Sequence, residues 1–241
     1  MSMRWKNNVV RSFDQKSASY DRNCSVQQAI AQSLSVDLPA ADEGMDILEI
    51  GCGTGNLTAH LFRQYEGCHL CITDVSPAMV ERAKAKFSGV EARWSVMDGE
   101  NPDSTETYDL IVANMAFQWF EDIGAAVERL SSMLKPNGSL FYSMPGDDSF
   151  CEWKQVLNGI GLPVGILDFP TSPDIYREET ITHHYKDAVD FLRSMKNIGA
   201  GTARKDYTPL THSEMKKACA ALDQNHGGKT TWHVLYGRVD R

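Results

Sequence analysis

Three acids carry the first chemical signal in this chain: Glu49, Asp74 and Asp98 each fall at or near the end of a short apolar run. The first lies within Asp46-Ile-Leu-Glu-Ile-Gly-Cys-Gly-Thr-Gly-Asn56, where Gly51, Gly53 and Gly55 alternate. Strand, glycine turn and helix in that order open a nucleotide-binding βαβ unit. Glycines let the backbone turn sharply and approach a ligand without a Cβ in the way. The dinucleotide spacing G-x-G-x-x-G is absent, because Asn56 and Leu57 leave no third glycine at the required place. That spacing seats a pyrophosphate on the helix N-terminus, and an acid at position 49 disfavours such an anion. A ligand with a cationic end fits the acid better.

The ammonium and sulfonium of S-adenosylmethionine meet that requirement. The stretch resembles the first motif of class I S-adenosylmethionine-dependent methyltransferases. Asp74 closes a strand over roughly 69–73, about nineteen residues after the last glycine, where an acid accepts the ribose hydroxyls of an adenosine group. Ser76 and Pro77 then read as N-cap and first turn of a helix, which places Met79 beside the adenine. Asp98 and Gly99 follow a strand around 91–96, at the edge where open α/β sheets bind ligands. A carboxylate there suits an adenine amino group.

The elements that must position these acids are legible by periodicity. Leu57, Leu61 and Tyr65 share a helix face after the glycine turn. Tyr108–Asn114 is a near-continuous apolar run, the pattern of a parallel strand covered on both faces. It delivers Asn114, Met115, Gln118 and Trp119 to the place where a transferred methyl meets its acceptor. A helix carrying Ile123, Ala126, Val127, Leu130, Met133 and Leu134 ends at Lys135-Pro-Asn-Gly138, and a fifth strand covers 139–145. Strands alternating with helices predict an α/β fold with a Rossmann-like, doubly wound, mostly parallel sheet. Around this core (46–145) the reading places an N-terminal helical extension and lid over 1–45 and a cap insertion over 146–183. The last part, 184–241, is read as C-terminal helices and closing strands. Those include a helix at about 184–197, a capping box at Thr211 and Glu214, and a strand from Thr230 to Tyr236.

Composition narrows the function class. The 241 residues carry a net charge of −8, with 42% hydrophobic content. Positions 1–150 hold 12 basic against 21 acidic residues, whereas 151–241 hold 12 against 11. An acidic chain lacks the basic face that nucleic-acid binding needs, and no apolar run approaches a membrane span. A cytoplasmic monomer is expected. The six cysteines are scattered, and Cys68-His-Leu-Cys71 has no second pair to complete a zinc set. Buried structural thiols and no metal are the expectation.

Further motifs make the resemblance more specific. Arg11-x-Phe13, Ala18-x-Tyr20-Asp21, the 48–55 glycine motif, Asp74-Val-Ser-Pro-Ala-Met-Val80 and Asn114-Met-Ala-Phe-Gln118-Trp119 fit one family. So do Leu134-Lys-Pro-Asn-Gly138, Ser149-x-x-Glu152-Trp153, Leu192-x-x-x-Lys196-x-x-Gly199-Ala200, Pro209-Leu-Thr211 and Thr231-x-x-Val234-x-Tyr236. Together they resemble the malonyl-acyl-carrier-protein O-methyltransferases of biotin synthesis over nearly the full length. The chain departs from that pattern at Thr73 and after Asp98.

The resemblance implies methylation of the free carboxylate of a malonyl thioester, with S-adenosylmethionine as cofactor and a malonyl acyl carrier protein as partner. It implies a cofactor site of Glu49, Gly51, Cys52, Gly53, Gly55, Asp74, Val75, Met79, Asp98, Gly99, Asn114 and Met115. Tyr20, Gln118 and Trp119 are expected to shape the acceptor site. Arg193 or Lys196 is expected to meet the malonyl carboxylate or the carrier, with Arg204 and Lys205 as outer contacts. Other readings are a methyltransferase of the same fold with another acceptor and a catalytically silent adenosyl-binding protein. A nicotinamide enzyme ranks last, for want of the third glycine.

Overall fold

The computed structural model describes residues 9–15, 24–167, 169, 174–197 and 207–241. Tyr20, Gly199, Ala200, Arg204 and Lys205 lie outside the described residues. Seven strands form one sheet: β1 (Asp46–Ile50), β2 (His69–Asp74), β3 (Arg93–Val96), β4 (Tyr108–Asn114), β5 (Leu134–Pro145), β6 (Ile175–His184) and β7 (Lys229–Asp240). Their order is β3-β2-β1-β4-β5-β7-β6. The first five pair in parallel, and β7 runs antiparallel between β5 and β6. Strand order reverses between β1 and β4, and a ligand crevice opens at such a switch point, beyond the carboxyl ends of the strands.

Alternating side chains feed two cores. Ile47, Ile72, Leu110 and Val112 face one side, under α2 (Ser25–Asp37) and α3 (Thr58–Gln64). Leu48, Ile50, Ile111 and Ala113 face the other, under α5 (Ile123–Ser132). Both faces are covered, which explains the unbroken apolar run of β4. A short helix, α1 (residues 9–15), lies at the ligand edge, where the Asp14 carboxylate accepts from Ser76 Oγ at 2.5 Å.

Ser76 caps α4 (Pro77–Lys86) by accepting from the Met79 N–H at 3.2 Å, with Pro77 at the first position as expected. The capping box at Thr211 and Glu214 opens α8 (His212–His226). The six cysteines are all free thiols. Cys68 precedes β2 rather than lying within it, and buried Cys71 accepts from Arg93 Nε at 3.2 Å.

Three expectations need correction. Residues 175–183, read as part of a cap, belong to the edge strand β6, so the segment between β5 and that strand is shorter and contains α6 (Cys151–Gly159). The half-buried side of β6 carries Arg177 and Glu179, and polar residues there hide the strand from a hydrophobicity pattern. Arg177 reaches Asp37 of α2 and stacks 3.7 Å from the Tyr236 ring centroid, an ionic anchor in place of an apolar one. The stop signal at Lys135–Gly138 lies inside β5, where a register shift against β4 and positive φ at Asn137 absorb the bend. The helix expected from 184 is α7 (Ala188–Asn197), which leaves Tyr185 ahead of it.

One contact links the sheet to the ligand edge. Tyr142 on β5 lies opposite Gly237 on β7 and stacks on Phe117 at 4.5 Å. A Cβ on Gly237 would stand 2.0 Å from the Tyr142 ring. Gly237→Ala is therefore expected to lower stability by about 1–3 kcal/mol, the usual cost of overpacking a buried site. Urea unfolding measures it. An unchanged midpoint would show that the ring has room the structure does not show.

Candidate active site

A cavity of about 490 Å³ opens beyond the carboxyl ends of β1 to β5. That volume lies within the range of small-molecule sites, roughly 300–1,000 Å³. Gly51, Cys52 and Gly53 line it, together with Glu49, Asp74, Val75, Met79, Asp98, Gly99, Asn114, Met115, Gln118 and Trp119. Parallel strands bring the acids together by register: Glu49 pairs with Ile72, and Asp74 with Val96, so successive strand ends fall in a row.

Each acid is held by neutral donors. One oxygen of Glu49 accepts from Thr58 Oγ1 at 2.7 Å. Burial, aided by the nearby Asp74 charge, pushes the Glu49 carboxyl up to about 8. Asp74 accepts from the Gly53 N–H at 2.9 Å and the Ser76 N–H at 2.8 Å, tying the glycine turn to β2. Burial raises it to about 6 in spite of those bonds. Asp98 accepts from the Glu100 N–H at 3.1 Å. Cys52 is no nucleophile: burial, with Asp74 and Glu49 alongside, drives its thiol well above the ordinary range.

The glycines divide by role. Gly53 has φ of 54°, and a Cβ built on it meets no protein atom within 4 Å. Its freedom serves the turn, and the open space above it belongs to the cavity. Gly55 is not among the residues lining this cavity: its φ is 89°, and a Cβ there would stand 2.4 Å from the Phe87 ring.

The loop expected to shape the acceptor site follows β4. Ser143 Oγ donates to Asn114 Oδ1 at 2.9 Å, and Asn114 Nδ2 donates to the Gln27 carbonyl at 3.4 Å. Met115 takes a left-handed conformation (φ 54°), an uncommon state for a non-glycine residue. Its carbonyl accepts from Gln118 Nε2 at 2.7 Å. That bond fixes the amide, leaving Gln118 Oε1 buried without a partner among the described residues. Trp119 packs edge-on against Phe13 of α1, with ring centroids 5.4 Å apart. Phe13, Val9 and Val10 also line the cavity, so α1 forms part of its wall.

The two candidate cations separate. Lys196 lines the cavity and is also exposed; Arg193 is exposed and absent from the lining. Among the described residues, Lys196 is the basic side chain of the cavity wall. No cluster of described residues could hold a metal, and no described helix is long and apolar enough to cross a membrane.

Reading the sequence alone missed the aromatic and methionine wall from Phe150, Trp153, Phe191, Met195, Met215 and Trp232. Trp153, Met195 and Met215 were legible only as helix stripes, and nothing local says that three such stripes converge. It also missed Thr58, whose position one helical turn after the glycines is the available signal.

Three carboxylates, an orphaned amide oxygen and an open space over Gly53 suit a ligand with hydroxyl, amino and cationic groups. They do not suit a pyrophosphate.

A family model described as a methyltransferase domain matches residues 48–140. A malonyl-[acyl-carrier protein] O-methyltransferase of Magnetococcus marinus is 34% identical, over 94% of this chain and 90% of that one. The biotin biosynthesis bifunctional protein BioCD of Bordetella avium is 31% identical, over 95% of this chain and 51% of its own length. Among solved structures, the N-methyltransferase NodS of Bradyrhizobium japonicum, in complex with S-adenosylhomocysteine, is similar in fold. Its TM-score is 0.54 at 17% identity, over 97% of this chain and 98% of that one. Fold, site chemistry and near-full-length identity agree: this chain is an S-adenosylmethionine-dependent methyltransferase and belongs to the malonyl-[acyl-carrier protein] O-methyltransferase family.

Proposed function

We propose that this protein methylates the free carboxylate of malonyl-acyl carrier protein in the cytoplasm, as a step of biotin synthesis. The observation that carries the cofactor half is the buried pair Glu49 and Asp74, answered among the described residues by a threonine hydroxyl and backbone N–H groups. Asp74 would take the ribose hydroxyls, Asp98 the adenine amino group, and Met79 the adenine face. Glu49 would face the cationic end. When bound, S-adenosylmethionine supplies an electrophilic methyl carbon, which the acceptor carboxylate attacks as the carbon–sulfur bond breaks and sulfur keeps the electron pair.

No proton moves in that step. A carboxylate with a pKa near 4 is already ionised at neutral pH and needs no general base. The chain's part is orientation and exclusion of water. Gln118, locked by the Met115 carbonyl, and Trp119, closed by Phe13, would bound the acceptor. Tyr20 is assigned to the same task by resemblance. Lys196 would meet the malonyl carboxylate or the carrier's phosphate, with Arg193 outside it toward the acidic carrier.

Transfer of labelled methyl to malonyl-carrier protein, malonyl-coenzyme A and free malonate tests the proposal. Label should move fastest to the carrier thioester. Cofactor binding with no label on any of the three would overturn it. In the same assay Lys196→Glu should raise the KM for the carrier substrate roughly three- to tenfold, since a rim charge is worth ~1 kcal/mol. S-adenosylhomocysteine affinity should stay unchanged. An unaltered KM would remove Lys196 from the acceptor site.

Glu49 gives a pH dependence of definite sign. Its raised pKa leaves it protonated in the ligand-free protein below about 8. A bound cation favours the ionised form, so binding releases a proton. Affinity for S-adenosylmethionine should therefore rise with pH from 6.5 and level off above 8, with about tenfold per unit as the upper limit. Calorimetry in buffers of different ionisation enthalpy reads the proton directly. Glu49→Gln should bind more weakly and lose the slope; an identical slope in the variant would place the titrating group elsewhere.

A further inference from the structure

Beyond the acids, the cavity continues into a chamber that a malonyl group does not fill. Its wall carries five buried aromatic rings: Phe150, Trp153, Phe169, Phe191 and Trp232. Four of them form one chain of contacts: Phe150 lies 4.7 Å from Trp232 and 5.7 Å from Phe191, and Trp153 lies 6.3 Å from Phe191. Met195 and Met215 add thioether side chains that adapt to the shape beside them. The exposed Lys196 marks the mouth.

The walls are tied together. The Phe150 N–H donates to the Thr231 carbonyl at 2.7 Å. The buried Glu152 carboxylate accepts from the Thr231 N–H at 2.8 Å and from Thr231 Oγ1 at 2.6 Å. Trp153 on α6 and Trp232 on β7 are the next residues along, so these bonds hold both faces of the chamber in register.

A malonyl unit has a single methylene between its two carbonyl carbons and offers such a surface almost nothing. A pantetheine arm brings amides, which weaken binding when they enter an apolar space without partners. An aliphatic chain asks for no partner. We infer that the chamber is an acyl-chain site, and that the enzyme also methylates thioesters of longer dicarboxylic acids at their free carboxylate. The inference rests on the reading of the chain as a malonyl-thioester methyltransferase. Carboxylate and sulfonium react in the same way at every length: the oxygen–methyl bond forms, the carbon–sulfur bond breaks, and sulfur keeps the pair. Each added methylene occupies the chamber and moves the polar arm toward the mouth. Full burial strengthens the bound state up to about fourfold per methylene.

The test is labelled methyl transfer to carrier thioesters of the three-, five- and seven-carbon dicarboxylic acids, using the full chain. The longer acids are expected to show kcat/KM equal to or above that of the three-carbon acid. Met215→Trp should fill the chamber and lower the seven-carbon to three-carbon ratio about tenfold, with Met195→Phe as the second variant should the first not fold. The ratio within one variant is independent of how much protein is active. Label on the three-carbon acid alone overturns the inference and leaves the proposed function intact. Label on none of them overturns the proposed function itself. Longer acids accepted with an unchanged ratio in both variants would show that the chain lies outside this chamber.

Discussion

Two buried carboxylates with no cationic partner among the described residues set the terms of this site. Glu49 and Asp74 are buried at the ends of adjacent parallel strands, and their named partners are a threonine hydroxyl and two backbone N–H groups. A neutral hydrogen bond satisfies a lone pair without cancelling the charge, so burial dominates and both pKa values rise. At neutral pH the ligand-free site therefore holds one ionised acid, Asp74, beside a protonated Glu49 whose proton a bound positive charge would release. Such a site repels a diphosphate. The missing third glycine and the extra acid are thus two sides of one choice of ligand.

Much of this was legible because it is local. A strand, a glycine turn and a capped helix are set by neighbours within a few residues, and parallel pairing then aligns the strand ends without further instruction. β4 was found with its observed bounds, since burial on both faces leaves an unbroken apolar run. What was not legible depends on distant partners. β6 is an edge strand whose inner side is anchored by Arg177 and Glu179 to α2 and Tyr236, so its pattern mimics a polar loop. Gly55 was legible as part of the glycine turn, but not its close neighbour Phe87, thirty-two residues away. Arg193 and Lys196 stand three apart on α7, and only the helix's docking decides which of them reaches the cavity.

The loop after β4 shows how a site proposed to work without a general base is still built to a tolerance. Met115 in a left-handed conformation aims its carbonyl at Gln118 Nε2, and that bond dictates which end of the amide is left over. Phe117, one residue before Gln118, is stacked on Tyr142, which in turn occupies the space over Gly237. The antiparallel pair β5 and β7 therefore sets the height of the loop that meets the acceptor. Where reaction depends on holding two groups in line, displacement of the loop by a fraction of an ångström matters more than the loss of a proton donor.

Charge along the chain follows the same division of labour. The first 150 residues are strongly acidic and supply Glu49, Asp74 and Asp98, whereas the last 91 are close to neutral. An acidic site that attracts a sulfonium also repels a carboxylate acceptor, and one surface cannot serve both. The chain separates them: acids at the strand ends, then an apolar wall from α6, α7 and β7 with Lys196 at its exposed end. In the proposed reaction such a wall would exclude the water that otherwise screens the attraction between sulfonium and carboxylate, and would stand between the strand-end acids and the incoming anion.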